Sequence, residues 1–542
     1  MKTALVALNV SYIHKNLALR WLMVTKPETH EAKIFEGLCK APLNLVEDIL
    51  AYQPETIALS VYIFNIDATI VLIKALKERL PQLKIVAGGP EATYHSEPLW
   101  EAGIDGIFKG ETELVFWDQL EGKKVLGYQA SPNEEVEILK VDLKKLESYP
   151  SPYFLDEDKD SMDKRYLYVE SSRGCPYGCS YCMASLDRRV RLFSEKYMDD
   201  FFVQIRNSGV KQVKFLDRTF NVSKERALHL AKTCLSMPES MAFHVELVGD
   251  SLDEELIKFF IDEGKQRFRM EIGVQSLNPK TLQEVSRSTN LPKLLSLIER
   301  FSQAHLKQHI DLIAGLPYED LNSFKHSYEG LLRLKAHELQ VGILKLLHGT
   351  SLKENAVKYG YEAALTSPYQ ITQSHWMSLE DIQAVEEVAL ATERAYNSQK
   401  LKDELDDLFM DPSLEPFDLM RSIGHEIASL AHPYSNQAFY VAIIEGLKKH
   451  LPESKAKAMV THAYYKNSIL WPPSLYPYQV DKARLNHIRE TLGLDQNIKH
   501  AILIDRVDGL DGHELWTFGV KGQKKQCFIL DKEDHLEKEL SL

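Results

Sequence analysis

The sequence predicts an α/β protein: a doubly wound, Rossmann-like parallel sheet at the N-terminus, a partial (β/α)6 barrel in the middle, and a mainly helical C-terminal region with a short β meander. Two alternating series of strand-like and helix-like stretches predict the first two parts, and the loss of alternation after about Tyr369 predicts the third. In the first series, Thr3–Leu8, Thr56–Val61, Leu83–Ala87 and Gly106–Phe108 are short apolar runs, as strands buried on both faces require. Between them, Leu17–Val24 and Ile66–Leu80 repeat apolar residues at helical spacing, the second stopped by Pro81. Such alternation implies parallel strands with crossover helices and ligands at the carboxyl ends of strands. The glycine turns at Gly88-Gly89 and Gly110 fall at those ends.

From Pro132 to Met162 the alternation dissolves, and Pro150, Pro152 and the acidic run Asp156-Glu157-Asp158 read as an extended connector. The second series has strand candidates at Tyr166–Glu170, Gln212–Leu216, Ala242–Leu247, Arg269–Gly273, His309–Ile313 and Leu339–Leu346. Six such steps fit a full or partial parallel barrel, whose chemistry belongs at the strand C-termini. The expected division is a sheet domain over 1–130, a linker over 131–165, a barrel over 166–370 and a C-terminal domain over 371–542. In the last, Ser378–Asp407 and Glu415–Ala431 read as helices, and Ala501–Leu530 as a meander with turns at Asp508-Gly509, Asp511-Gly512 and Lys521-Gly522. The rigid aromatic stretch Trp471–Tyr478 suits a cap on the barrel, while most other Tyr and Trp of this region read as core.

Composition narrows the function. The 542 residues hold 65 Lys and Arg against 78 Asp and Glu, a net charge of -13, which disfavours non-specific nucleic-acid binding. No apolar run reaches the roughly 18 residues of a membrane-spanning helix. Met1–Val10 reads as a buried first strand and not as a secretory signal. Six cysteines are too few for a disulfide scaffold in a chain this long.

Cys175, Cys179 and Cys182 are nevertheless clustered, just past the first strand of the barrel series. A structural zinc site wants a fourth ligand, and no His or Cys follows at ligand spacing. A redox disulfide needs only two cysteines. A cubane cluster takes four thiolates, so three leave one iron open to a small ligand. Gly174 and Gly178 let the backbone wrap such a cluster closely.

Cys-x3-Cys-x-aromatic-Cys after a strand resembles the signature of the radical S-adenosylmethionine (SAM) superfamily, with Tyr181 as the aromatic residue. Later segments carry the resemblance on, in order: Phe215–Asn221, Glu271–Ser276, Asp311–Pro317 and Leu346–Leu352, the last with His348 in place of a proline. The resemblance implies a 4Fe-4S cluster on Cys175, Cys179 and Cys182, SAM on its open iron, and reductive cleavage of SAM to a 5'-deoxyadenosyl radical. It assigns Tyr181, Asp217, Glu246, Gln275, Ser276 and Arg287 to the SAM site. Glu246 would accept bonds from the ribose hydroxyls and Arg287 would pair with the SAM carboxylate. The plain alternatives are an ion-paired carboxylate and a solvated helix cation. Leu216 stands where the family often has Asp, so that contact is expected from backbone. Arg188, Arg189 and Arg191 read as a solvated charge run.

A doubly wound domain ahead of such a barrel resembles the cobalamin-binding class of the superfamily, in a subset with an uncharacterised C-terminal domain. Three segments carry this: Ser60–Asn65, Val86–Glu91 and Asp105–Glu113. They assign Ser60, Tyr62, Asn65, Gly88, Gly89, Pro90, Gly110 and Glu111 to cobalamin. The Asp-x-His-x-x-Gly motif that supplies cobalt with a histidine is absent, so binding without a histidine ligand is implied.

The expected function is a cobalamin-dependent radical SAM enzyme, foremost a methyltransferase acting on an unactivated carbon. The alternatives are a radical SAM enzyme of rearrangement, cyclisation or oxidation, and a cluster- or cobalamin-holding sensor. Expected partners are a small-molecule or peptide substrate and an electron donor such as flavodoxin or ferredoxin, with no nucleic acid and no membrane span. An oxygen-labile cluster points to a reducing cytoplasm.

Overall fold

The computed structural model describes residues 1–264, 266–467, 482–494, 500–505, 512–518 and 525–540. The aromatic stretch 471–478 and the expected turn residues Asp508-Gly509, Asp511 and Lys521-Gly522 lie outside them. The chain forms two compact units, residues 1–320 with 343–378, and residues 321–342 with 379–542.

The first unit opens on six strands: Lys2–Asn9 (β1), Glu31–Leu38 (β2), Thr56–Ser60 (β3), Lys84–Gly88 (β4), Gly106–Phe108 (β5) and Tyr128–Gln129 (β6). Their order is β2-β1-β3-β4-β5-β6, parallel except for β6. The helices Leu17–Val24 and Ile66–Arg79 follow the apolar spacing. β1 is buried along almost its whole length, and one core gathers Val6, Leu8, Ile57, Leu59, Ile85 and Ile107 against Leu72, Ile73 and Leu76 of the second helix. β2 is a strand that no apolar run announces. It sits at the sheet edge, and Phe35 is its only fully buried residue. The Gly-Gly-Pro turn therefore follows the fourth strand in chain order.

The connector is not a loose tether. Asp158 is buried in a 3-10 turn over Asp156–Ser161, held by Arg20 in two bonds of 2.7 and 2.8 Å and by Lys15 at 3.3 Å. Arg20 also reaches Glu36 at 3.1 Å, and Arg165 bonds Glu36 at 2.8 Å. A buried carboxylate needs such partners, and here they fasten the acidic run to the sheet domain.

The barrel series follows as Leu167–Val169 (β7), a two-residue hairpin Ser172–Arg173 (β8) and Arg191–Leu192 (β9) that encloses the cysteines, then Gln212–Phe215 (β10), Ala242–Leu247 (β11), Phe268–Gln275 (β12) and Lys307–Ala314 (β13). β7, β10, β11, β12 and β13 pair in parallel in that order. Burial alternates along them, so one face packs against helices and the other carries Tyr168, Lys214, His244, Glu246, Glu271, His309 and Asp311.

The second unit holds the strand Glu338–Ile343 up to its last residue, and the helices Leu379–Ala391, Lys402–Leu408, Pro416–Ala428, Asn436–Leu447 and Glu453–Asn467. Its meander runs antiparallel through His500–Asp505, His513–Phe518, Gln526–Leu530 and Leu536–Leu540. Tyr440, Tyr464, Tyr465 and Trp516 are buried there, as core aromatics. No helix among the described residues is long and apolar enough to cross a membrane.

Candidate active site at the mouth of the parallel sheet

The cysteines lie on the loop between β8 and β9. Gly174 begins it with φ +92°, where a Cβ would meet the Arg189 carbonyl oxygen at 2.5 Å, so only glycine lets the two arms of the loop close. The Cys175 amide then donates to the Asp187 carbonyl at 2.9 Å, and Cys182 N–H to the Cys179 carbonyl at 3.1 Å. Cys175 and Cys179 are buried and Cys182 half-buried, and all three are free thiols. Burial pushes the Cys182 thiol up, with the neighbouring Cys179 and Cys175 acting in the same direction.

The SAM-site candidates divide. Arg287 lies on the cysteines: its guanidinium is 3.7 Å from Cys179 Sγ and 3.5 Å from the Tyr181 hydroxyl, and donates to the Gly273 carbonyl. Gln275 has φ +72° beside a register shift in β12. Gly273 leaves the room for its side chain, since a Cβ there would meet Gln275 Nε2 at 2.2 Å. Arg287 Nε, Gln275 Oε1 and Ser180 Oγ are buried without a hydrogen-bond partner. Buried polar atoms are almost always satisfied, so orphans around three cysteines mark a place for a polar ligand. Asp217 and Ser276 are engaged elsewhere. Asp217 accepts from Ser171 N at 2.9 Å, Ser171 Oγ at 2.5 Å and Ser172 Oγ at 2.6 Å, and so ties the end of β10 to the start of the cysteine loop. Ser276 is fully buried and donates to Glu319 at 2.6 Å.

Glu246 stands on the open face, opposite Glu271 in register and 3.4 Å from Arg218. Burial pushes its carboxyl up to about 7. Glu271 is held low by a 3.0 Å bond from His244, and burial raises Asp311 beside His309. Glu271, His244, His309 and Asp311 were not predicted as site residues. The signal that could have found them is a charged residue at every second position of strands whose other face is apolar.

The charge run also divides. Arg188 and Arg189 are exposed, but Arg191 is half-buried and pairs with Glu111 at 2.6 Å and Asp187 at 2.8 Å. Arg173, one residue before Gly174, pairs with Glu113 at 2.8 Å, Glu170 at 2.9 Å and Glu111 at 3.2 Å.

In the sheet domain several cobalamin candidates serve the backbone. Asn65 accepts from Tyr62 N–H and donates to the carbonyls of Leu8 and Ser60, joining the ends of β1 and β3. Ser60 Oγ accepts from Asn16. At Gly89, with φ +106°, a Cβ would meet the Val61 carbonyl at 2.4 Å, which admits the Gly-Gly-Pro90 turn against β3, and Gly88 only touches Phe108. Gly110 abuts Leu139 of the connector, and Glu111 is spent on Arg173 and Arg191. Apolar side chains are exposed after these strands, Val10 and Tyr12 at 61%, Leu43 at 52% and Phe64 at 46%, beside the exposed Lys40 and Asn44. Tyr62 stacks on Phe64 at 5.3 Å, a flat surface of the kind a macrocycle can rest on.

Three cysteines at the mouth of a parallel sheet, next to a doubly wound domain, define a class, and comparison with known proteins agrees. Residues 3–117 match the B12 binding domain, residues 169–331 the Radical SAM superfamily, and residues 357–517 a protein family of unknown function, DUF4080. The chain thus carries a radical SAM domain behind an N-terminal B12-binding domain and ahead of a DUF4080 region, the domain content of a radical SAM enzyme. An uncharacterized methyltransferase of Pyrococcus horikoshii is 23% identical over 360 residues, 63% of this chain and 78% of that protein. The cobalamin-dependent radical SAM methyltransferase TokK of Streptomyces tokunonensis is 25% identical over 350 residues, and the match spans 59% of this chain and 51% of TokK. The structure of the methyltransferase TsrM from Kitasatospora setae, with cobalamin and a 4Fe-4S cluster, aligns at a TM-score of 0.56 and 13% identity. It covers 79% of this chain and 99% of that one, and shows the same fold. The family implies a cluster, SAM, cobalamin and a reductant. The three thiols with orphaned polar atoms beside them fit the first two, and the stacked Tyr62 and Phe64 after β3 fit the third.

Proposed function

We propose that this chain is a cobalamin-dependent radical SAM methyltransferase that delivers a methyl group to an unactivated carbon. The observation that supports it most is the joint presence, in one compact unit, of the three-cysteine loop with its orphaned polar atoms and a B12-binding domain with a stacked aromatic pair at a strand end. When bound, the cofactors supply a one-electron cleavage of SAM and a methyl carrier. The residues of the chain do the rest. Cys175, Cys179 and Cys182 would hold the 4Fe-4S cluster as thiolates. Arg287, beside Cys179, places a fixed cation at the cluster and offers Nε to the SAM carboxylate. Gln275 and Ser180 present an acceptor and a hydroxyl to the amino-acid end of SAM. Glu246, on the open strand face, takes the ribose hydroxyls, and Tyr181 packs beside Arg287. Asp217 and Ser276 are positioning residues that hold the loop and the end of β12. Tyr62 and Phe64 form the bed for the corrin.

The expected partners are a small molecule or peptide as substrate and a low-potential donor such as flavodoxin or ferredoxin, in a reducing cytoplasm. The functional division remains 1–130, 131–165, 166–370 and 371–542. The test is anaerobic purification after growth with cobalamin, cluster reconstitution, and a visible spectrum of the desalted protein. A corrin band near one equivalent beside iron–sulfur absorption, with SAM cleavage lost in Cys179→Ala, is the expected result. Iron–sulfur absorption with no retained corrin would remove the methyl carrier and overturn the methyltransferase reading.

A further inference from the structure

Away from the cysteines, the first unit brings together residues far apart in sequence: Glu91 and His95 after the Gly-Gly-Pro turn, and His348 and Tyr369 from the end of the barrel series. One ligating atom from each of Glu91, His95 and His348 lies within 4.8 Å of the other two. The rings of His95 and His348 stack 3.8 Å apart and 2° from parallel. The Tyr369 hydroxyl donates to Glu91 Oε1 at 2.6 Å and lies 3.0 Å from His95 Nδ1, which is itself 3.1 Å from Glu91 Oε1.

Glu91 is 4% exposed, and its ionic partner among the described residues is His95 at 3.1 Å, with no lysine or arginine beside it. A buried carboxylate without a cation is costly, and a carboxylate with two imidazoles is the donor set that divalent zinc-like ions take. The Tyr369 hydroxyl, which donates to Glu91, fixes the carboxylate from the outer shell. Parallel rings aim their lone pairs side by side, so a shared ion turns at least one ring, a movement of side chain and not of backbone.

The geometry points to a second metal site, in which Glu91, His95 and His348 bind one divalent transition-type cation such as Zn2+, with Tyr369 holding the carboxylate. The ion would fasten the loop that carries His348 to the Gly-Gly-Pro-Glu turn of the B12-binding domain, independently of the cysteine site. His348 stands where the resembling segment has proline, so the site belongs to this chain and not to that motif.

The test uses the holoenzyme with its cluster reconstituted, so that the cysteines are occupied, dialysed against Zn2+ and then against buffer. Metal is counted by mass spectrometry for wild type, His348→Pro and Glu91→Gln. The amide of His348 makes no backbone hydrogen bond, so proline removes none. Wild type should retain one zinc per chain, each variant should retain at least tenfold less, and iron per chain should stay constant. Zinc-edge absorption of the wild type should show only nitrogen and oxygen neighbours, a readout that needs no variant. Equal zinc in wild type and both variants, no retained zinc in wild type, or sulfur neighbours would overturn the proposal. Iron per chain serves only as the control that the cysteines are occupied, and corrin binding does not enter, so the zinc count is separate from the methyltransferase test.

Discussion

Arg173→Met tests how the cysteine loop is held. Arg173 is 10% exposed and makes four charged contacts, two with Glu170 and one each with Glu113 and Glu111. Methionine fills most of the volume and removes the cation. Glu111 keeps Arg191, but Glu113 and Glu170 lose their guanidinium while 12% and 15% exposed. Breaking a buried pair on one side costs roughly 3–5 kcal/mol; with two carboxylates part-open to water, about 3 kcal/mol is expected. The double variant Arg173→Met/Glu113→Gln should recover about 1 kcal/mol or more of it. Denaturant midpoints measure the stability, and iron per chain after reconstitution measures the loop, since Cys175 is two residues away. Unchanged midpoints with full iron in Arg173→Met would refute the idea that this network holds the loop.

Three further outcomes follow from single residues. Gly89→Ala places a Cβ 2.4 Å from the Val61 carbonyl at φ +106°, and a loss of about 2 kcal/mol or more is expected in urea unfolding. Glu246→Gln removes a carboxyl that burial pushes up to about 7 from 4.5, a penalty absent below the lower value and complete above the upper one. The variant should match wild type at pH 4.5 and exceed it by about 1–2 kcal/mol at pH 8, allowing for partial exposure, and a difference independent of pH would contradict the assignment. Asp217→Ala strips three hydrogen bonds from Ser171 and Ser172, with an expected cost of about 2–3 kcal/mol and faster loss of iron to a chelator.

The sheet and barrel were legible because their strands are buried and their helices amphipathic. Leu17–Val24, Gly106–Phe108 and Ala242–Leu247 match the expected spans residue for residue. β2 was missed because an edge strand with one buried residue shows no apolar run. The anchoring of the connector was not legible, because nothing local reveals that Arg20 and Lys15 pair with Asp158. Arg191 was read as part of a solvated run for the same reason, since its partner Glu111 lies 80 residues earlier. The Glu91, His95 and His348 cluster was out of reach, because Tyr369, which closes it, is 278 residues from Glu91.

Local motifs report backbone need more readily than ligand contact. Gly110-Glu111 was assigned to cobalamin, yet the glycine admits Leu139 at a distance no Cβ would allow and the glutamate is bound by two arginines that flank the cysteines. Asn65 and Asp217 likewise spend their oxygens on the chain itself. A side chain that holds every acceptor in fixed bonds makes a poor ligand contact and a good hinge pin. Residues left with orphaned atoms, Gln275, Arg287 and Ser180, have the opposite signature, and they surround the cysteines. The second group is where substitution should change cofactor binding at unchanged stability. The first is where it should change stability, and cofactor binding only through it.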